Sequence, residues 1–234
     1  METVNDRVVV ITGASAGIGV ALAERLAARG ARVVLAARGE EALLAIVKRI
    51  GEDRALAVTA DVTRRADVAR IVESALARFG QIDVWVNNAG RGITRAVADL
   101  TDEDLDEMFL VNVKSALYGV QAVLPHFRER GRGHIVNVSS MLGRIPFVSG
   151  RAAYSASKHA LNALTANLRM DLRAQHPGIH VTLVLPGVVA TGFGSNALHG
   201  GMDSRKMPGA QPVEEVADAI IAGIETPRAE VYTR

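Results

Sequence analysis

Six short runs in the chain are apolar at nearly every position and rich in β-branched residues: Arg7–Thr12, Arg32–Ala37, Ala55–Ala60, Ile82–Asn87, His134–Ser139 and His180–Leu185. A strand with one wet face alternates in polarity, so near-continuous apolar runs predict strands covered on both faces. Longer segments with helical spacing of apolar residues separate them: Gly17–Ala28, Glu40–Ile50, Arg64–Phe79, Asp102–Glu129, Ala152–Gln175 and Val213–Glu225. Thr101 followed by Asp104 reads as a capped helix start, and Gly30, Gly51, Gly80 and Gly131 stand near helix ends, where glycine tolerates a left-handed turn. This alternation predicts parallel strands joined by crossover helices. The expected architecture is a single doubly wound α/β domain over residues 1–234, a mostly parallel sheet of about seven strands with helices on both faces. Its last strand is expected around Val231-Tyr232-Thr233. No linker, repeat or low-complexity tract divides the chain.

Composition narrows the function classes. Of 234 residues 49% are hydrophobic, enough for a large buried core. Lys and Arg total 27 against 25 Asp and Glu, a net charge of +2. With no basic stripe and only 4% aromatic residues, nucleic acid is not an expected partner. The chain has no cysteine, which excludes thiol nucleophiles and cysteine-ligated metals, and with it we expect a reducing, cytoplasmic setting. Neither a signal-peptide pattern nor a membrane-spanning apolar run is expected. Six histidines occur without a metal-binding spacing, and the cluster Asp102-Glu103-Asp104 reads as a favourable helix N-terminus, so no metal site is expected.

The candidate chemistry sits at strand ends. The first strand runs into Thr12-Gly13-Ala14-Ser15-Ala16-Gly17-Ile18-Gly19 and then a helix, a turn whose glycines and free N–H groups suit a pyrophosphate. The same stretch matches the G-x-S-x-G nucleophile elbow, so a serine hydrolase using Ser15 is an alternative, although its usual place follows several strands. Tyr154 and Lys158 stand at i and i+4 on one helical face. An ammonium near a phenol favours phenolate, making Tyr154 a proton donor to a carbonyl or acceptor from an alcohol. Asn87-Asn88-Ala89-Gly90 ends the fourth strand, Ser139-Ser140 the fifth and Pro186-Gly187-Val188-Val189-Ala190-Thr191 the sixth. Ligands of open α/β sheets bind at these carboxyl ends.

In this order the motifs resemble the short-chain dehydrogenase/reductase family over nearly the whole chain. The resemblance implies a Rossmann-type fold with Gly13, Ser15, Gly17, Ile18 and Gly19 around the pyrophosphate turn. Asp61 is implied to hydrogen-bond the adenine, with Val62 flanking it, and Asn88, Ala89 and Gly90 to run beside the adenosine ribose. Pro186, Gly187, Val189 and Thr191 are implied on the cofactor too. Lys158 would hold the nicotinamide ribose and lower the pKa of Tyr154, and Asn112 matches the asparagine that interrupts a helix and holds a water in the proton relay. The family's substrate-orienting serine commonly falls at the position of Met141 here; Ser140 is the candidate, with Ser139 the alternative. Ala37 stands where an acid would bind a free ribose 2′-hydroxyl, and Arg38 follows it, which favours NADP(H) over NAD(H).

The expected function is hydride transfer between NADP(H) and a ketone or aldehyde, or its alcohol, with Tyr154 as acid/base. An isomerase or dehydratase on the same fold, and a nucleotide-binding regulator without catalysis, are the other readings; the intact Tyr154 and Lys158 argue against the regulator. Residues 192–209 resemble a mobile substrate loop. Ile145, Pro146, Phe147 and Val148 offer apolar contact, and Arg91, Arg144 and Arg151 can meet an acid group. Relatives assemble through the two long central helices, so a homodimer or homotetramer is expected.

Overall fold

The computed structural model describes residues 3–233; Met1, Glu2 and Arg234, the ends of the expected domain, lie outside the described residues. Seven strands form one parallel sheet: β1 (Val8–Thr12), β2 (Arg32–Ala37), β3 (Ala55–Thr59), β4 (Val84–Asn87), β5 (Gly133–Val138), β6 (Ile179–Leu185) and β7 (Glu230–Tyr232). Their spatial order is β3-β2-β1-β4-β5-β6-β7. The order reverses between β1 and β4, which opens a crevice at their carboxyl ends.

The β-branched runs form strands because each side chain finds an apolar layer on its own face. Val9, Ile11, Val33 and Leu35 point to one face, under α1 (Gly17–Ala28), α2 (Glu40–Ile50) and α7 (Val213–Glu225). Val8, Val10, Val34 and Trp85 point to the other, under α3 (Arg65–Phe79), α5 (Ser115–Arg130) and α6 (Ala152–Gln175). Every residue of β1 is buried, as a central strand requires.

The expected helix over Asp102–Glu129 is interrupted. It begins as α4 (Asp102–Phe109), passes through a π turn at Leu110–Lys114 and continues as α5. Thr101 Oγ1 accepts from the Asp104 backbone N–H while the Asp104 carboxylate accepts from that of Thr101, a complete capping box. Among the described residues no helix is long and apolar enough to cross a membrane, and no cluster of His, Asp and Glu could hold a metal.

A buried polar chain fixes the sheet beneath the crevice. Trp85 Nε1 donates to Asn87 Oδ1 at 2.7 Å, Asn87 Nδ2 to Asn137 Oδ1 at 2.8 Å, and Asn137 Nδ2 to Thr165 Oγ1 at 2.9 Å. Each of these groups would be costly to bury without its partner, so together they lock β4, β5 and α6 in one register.

Candidate active site

A cleft of about 640 Å³ opens at the carboxyl ends of the strands. Arg38 and Asp61 line one part of it, the Gly13–Ile18 turn and Asn88–Gly90 its middle, and Ser140, Tyr154 and Lys158 the part over β5. Pro186, Gly187, Val189 and Thr191 also face it, as do Ser15 and Val62. Two predicted residues, Gly19 and Asn112, stand behind the wall.

The turn after β1 has room for a ligand because the chain is packed against itself there. Gly13 has φ +66°, and a Cβ on it would come within 2.8 Å of Ala89 Cα. A Cβ on Gly19 would lie 2.8 Å from Ala14 Cα and collide with the Gly13 carbonyl. Only glycine closes this turn over the helix start. Thr12 pins it: its Oγ1 donates to the Val86 carbonyl and accepts from the N–H groups of Asn88 and Ala89 at 3.0 and 3.1 Å. Asn88 Nδ2 returns the tie, donating to the carbonyls of Thr12 and Gly13.

At the other wall Ala37 presents no carboxylate, while Arg38 is exposed and has no hydrogen bond or ion pair among the described residues. Asp61 Oδ1 accepts from Thr63 N and Thr63 Oγ1 at 2.9 and 2.7 Å, which orients the carboxylate. A dinucleotide fits this set: a glycine turn that tolerates no side chain, an oriented carboxylate, and an unpaired guanidinium at the rim.

Asn112 lies in the π turn, 1% exposed. Its Oδ1 accepts from Arg91 N, and its Nδ2 donates to Arg91 O at 2.9 Å and Ser157 Oγ at 3.1 Å. The side chain thus clamps the segment after β4 to α6. The two serines diverge. Ser139 Oγ is turned inward, donating to Asn162 Oδ1 at 2.5 Å, whereas Ser140 Oγ accepts from Leu142 N at 3.1 Å and faces Tyr154.

Tyr154 and Lys158 are 7% and 3% exposed, and Lys158 Nζ lies 5.8 Å from the Tyr154 ring centroid. The sequence leads one to expect a phenol made more acidic by the ammonium. The protein alone does the opposite. Burial pushes Tyr154 up to about 12, with the Ser140 hydroxyl and the Arg151 guanidinium pulling it partly back. Burial also brings Lys158 down to about 8, and its Nζ donates to the Val138 carbonyl at 2.9 Å. Desolvation disfavours the charged form of each and decides the direction of both shifts.

The residues expected around a substrate divide. Of Ile145, Pro146, Phe147 and Val148 only Val148 lines the cleft; Ile145 and Phe147 are 57% and 66% exposed outside it. Arg144 pairs with Glu230, away from the cleft, and Arg91 with Glu107 at 3.1 Å. Arg151 remains in the wall, its Nη1 donating to the Ile93 carbonyl at 2.9 Å. Residues 192–209 are fastened over this region. Leu198 N donates to the Gly92 carbonyl at 2.8 Å, and the Phe193 ring lies 5.7 Å from that of Tyr154. His199, at φ +61°, meets the buried Asp104 at 2.7 Å through Nε2. Glu107, Phe193 and His199 carry no sequence signal, because their partners lie on other elements. Ser15 has no hydrogen-bond partner among the described residues, and no histidine lines the cleft, so the nucleophile elbow lacks its base.

Known proteins agree with this geometry. The short chain dehydrogenase family profile matches residues 7–200. The oxidoreductase YxnA of Bacillus subtilis (strain 168), itself uncharacterized, is 39% identical over 99% of this chain. The chain spans 66% of that relative's length. An uncharacterized oxidoreductase of Staphylococcus saprophyticus, SSP1627, is 39% identical over 82% of this chain and 77% of its own. Among solved structures, a short chain dehydrogenase/reductase from Burkholderia phymatum in complex with NAD superposes with a TM-score of 0.91 at 28% identity, covering 100% of this chain and 91% of that one. A serine dehydrogenase complexed with NADP+ gives 0.89 at 29% identity, covering 96% and 93%. With its single Rossmann-like domain, seven-stranded parallel sheet and matched sequence, the chain belongs to the short-chain dehydrogenase family of oxidoreductases.

Proposed function

We propose that the protein transfers a hydride between NADP(H) and a small ketone or aldehyde, or its alcohol, with Tyr154 as the acid/base. One observation carries this: a buried tyrosine and lysine share the wall of a cleft that begins at a glycine turn and an unpaired arginine. When bound, the nicotinamide supplies or accepts the hydride. Tyr154 Oη gives its proton to the carbonyl oxygen in reduction and takes it from the hydroxyl in oxidation. Ser140 Oγ donates to the same oxygen and stabilises its developing charge. Lys158 holds the nicotinamide ribose and favours the phenolate. Asn112 positions the segment beside the cofactor through its clamp on Arg91 and carries the relay water. Residues 192–209 close over the substrate. The Asp61 carboxylate and Val62 take the adenine, with Asn88, Ala89 and Gly90 along its ribose. The working form in this reading is a cytoplasmic homodimer or homotetramer, formed on α4–α5 and α6, where Leu105, Leu164 and Met170 are exposed.

The preference for NADP rests on the bare Ala37 and the unpaired Arg38. A 2′-phosphate paired with the guanidinium gains charge-assisted hydrogen bonds. Arg38→Ala should therefore weaken NADP binding by roughly 1.5–3 kcal/mol, with NAD nearly unaffected. Ala37→Asp should turn the preference toward NAD by adding a ribose acceptor that repels phosphate. Dissociation constants for both cofactors at fixed salt, with a panel of carbonyl compounds tried first with NADPH and then NADH, test both points. Equal losses for NAD and NADP in Arg38→Ala would reduce the arginine to a structural role.

A further inference from the structure

Of the three arginines that the sequence offers for an acid group, two have carboxylate partners: Arg91 on Glu107 in the cleft wall and Arg144 on Glu230 away from it. The third has none. Arg151 directly precedes α6, three residues before Tyr154, so its side chain emerges at the end of the helix that delivers the phenol. It is partly buried, and among the described residues no acid pairs with it. Of its five N–H donors one is accounted for, by the Ile93 carbonyl. Its Nη1 and Nη2 lie beside Gly92 and Gly201, the second within the loop over the cleft. The same cleft lining carries the apolar side chains of Leu142, Val148, Phe193 and Met207 together with the polar Asn196 and Ser204.

A partly desolvated guanidinium without a counter-charge is costly, and an anion that arrives with the ligand removes the cost. The fork of a guanidinium also matches a carboxylate in two parallel hydrogen bonds. We propose that Arg151 is a specificity-determining residue that binds a substrate carboxylate, so that the enzyme acts on short oxo acids or hydroxy acids in preference to neutral carbonyl compounds. The carboxylate is a spectator: it orients the carbonyl toward Tyr154 while the bonds that change are those of the hydride and proton transfer. The proposal rests on the hydride-transfer reading and names its substrate class.

The test compares 2-oxobutanoate, 3-oxobutanoate and 4-oxopentanoate, each with its methyl ester and with butanone as a neutral control, in wild type, Arg151→Gln and Arg151→Lys. At least one acid should exceed its ester in kcat/KM by about 10- to 100-fold, the scale of hydrogen bonds to a charged group. Arg151→Gln should remove that excess, lowering the acid far more than the ester, and Arg151→Lys should retain part of it. A residue that merely braces the Ile93 segment would lower acid and ester together, which would overturn the proposal, as would esters as good as acids in wild type. Titration calorimetry of the same acids into NADP+-loaded protein gives a second readout, free of turnover. Binding lost in Arg151→Gln supports the proposal, and no binding of any acid to wild type overturns it. If butanone and the esters are reduced while the acids gain nothing, the substrate class fails and the hydride reading stands; if nothing oxidises NADPH or NADH, the hydride reading itself fails.

Discussion

Tyr154→Phe should bind NADP(H) as well as the wild type and turn over about 10²- to 10⁴-fold more slowly, the range that a positioned general acid contributes. The substitution keeps the ring, its burial and its packing near Phe193, and deletes only the transferable proton. With burial holding the phenol near 12, Tyr154 carries its proton throughout the neutral range and is already in the form that reduction requires. Oxidation needs the phenolate, so its rate should climb with pH beyond neutrality while reduction does not. Stopped-flow or steady-state rates in both directions, with cofactor binding measured separately, check both statements. A Phe variant with near-normal turnover would remove Tyr154 from the chemistry.

The second large effect concerns stability in acid. His134, on β5, is 2% exposed, and its Nε2 lies 2.8 Å from Thr182 Oγ1. That hydroxyl already donates to the Arg228 carbonyl at 2.6 Å, so Nε2 carries the ring's proton and donates to Thr182. Nδ1 has no partner among the described residues, and His180 lies edge-on at 5.8 Å. Burial, with smaller contributions from His180 and Arg7, lowers the His134 pKa to about 3. An unfolded histidine titrates near 6.5. Between these values the unfolded chain binds a proton that the folded chain refuses. Stability is therefore fully present above about pH 6.5 and is lost as pH falls toward 3, by about 1.4 kcal/mol per pH unit and on the order of 5 kcal/mol in all. His134→Gln keeps a donor for Thr182 and cannot titrate. Urea unfolding from pH 7.5 to 4 should give a shallower loss for the variant by about one proton, because the carboxylates common to both proteins cancel in the difference. Parallel curves would contradict a neutral buried His134.

Most of the scaffold was legible in the sequence because burial on both faces writes long apolar runs. The six runs coincide with observed strands to within two residues, and the last strand, Glu230–Tyr232, falls one residue before its expected place. Apolar spacing did not show the π turn at Leu110–Lys114, since it predicts one continuous helix over a segment where the backbone alone changes its hydrogen-bond pattern. Only the match at Asn112 implied an interruption. Most of the cleft residues are legible because they follow a strand, whereas Tyr154 and Lys158 are legible from their i, i+4 spacing on a helix. What stayed hidden depends on tertiary partners. Ser139 and Ser140 are adjacent and chemically identical, yet Asn162 takes the first inward. Arg91, Arg144 and Arg151 read alike until Glu107 and Glu230 are seen to occupy two of them. The phenol's acidity is hidden for a related reason: a sequence shows that a lysine is near, but not how dry both groups are.

The central claim, that this cleft carries a hydride between a nicotinamide and a carbonyl carbon, has a direct measurement. Wild-type protein is incubated with NADPH carrying deuterium at C4 of the nicotinamide, prepared separately in each stereochemical form, and with a carbonyl substrate found in the panel. Mass spectrometry should find deuterium on the carbinol carbon of the product from one form and not the other, with one NADPH oxidised per alcohol formed. Alcohol without deuterium from either form, or no nicotinamide oxidation with any carbonyl compound, would contradict it.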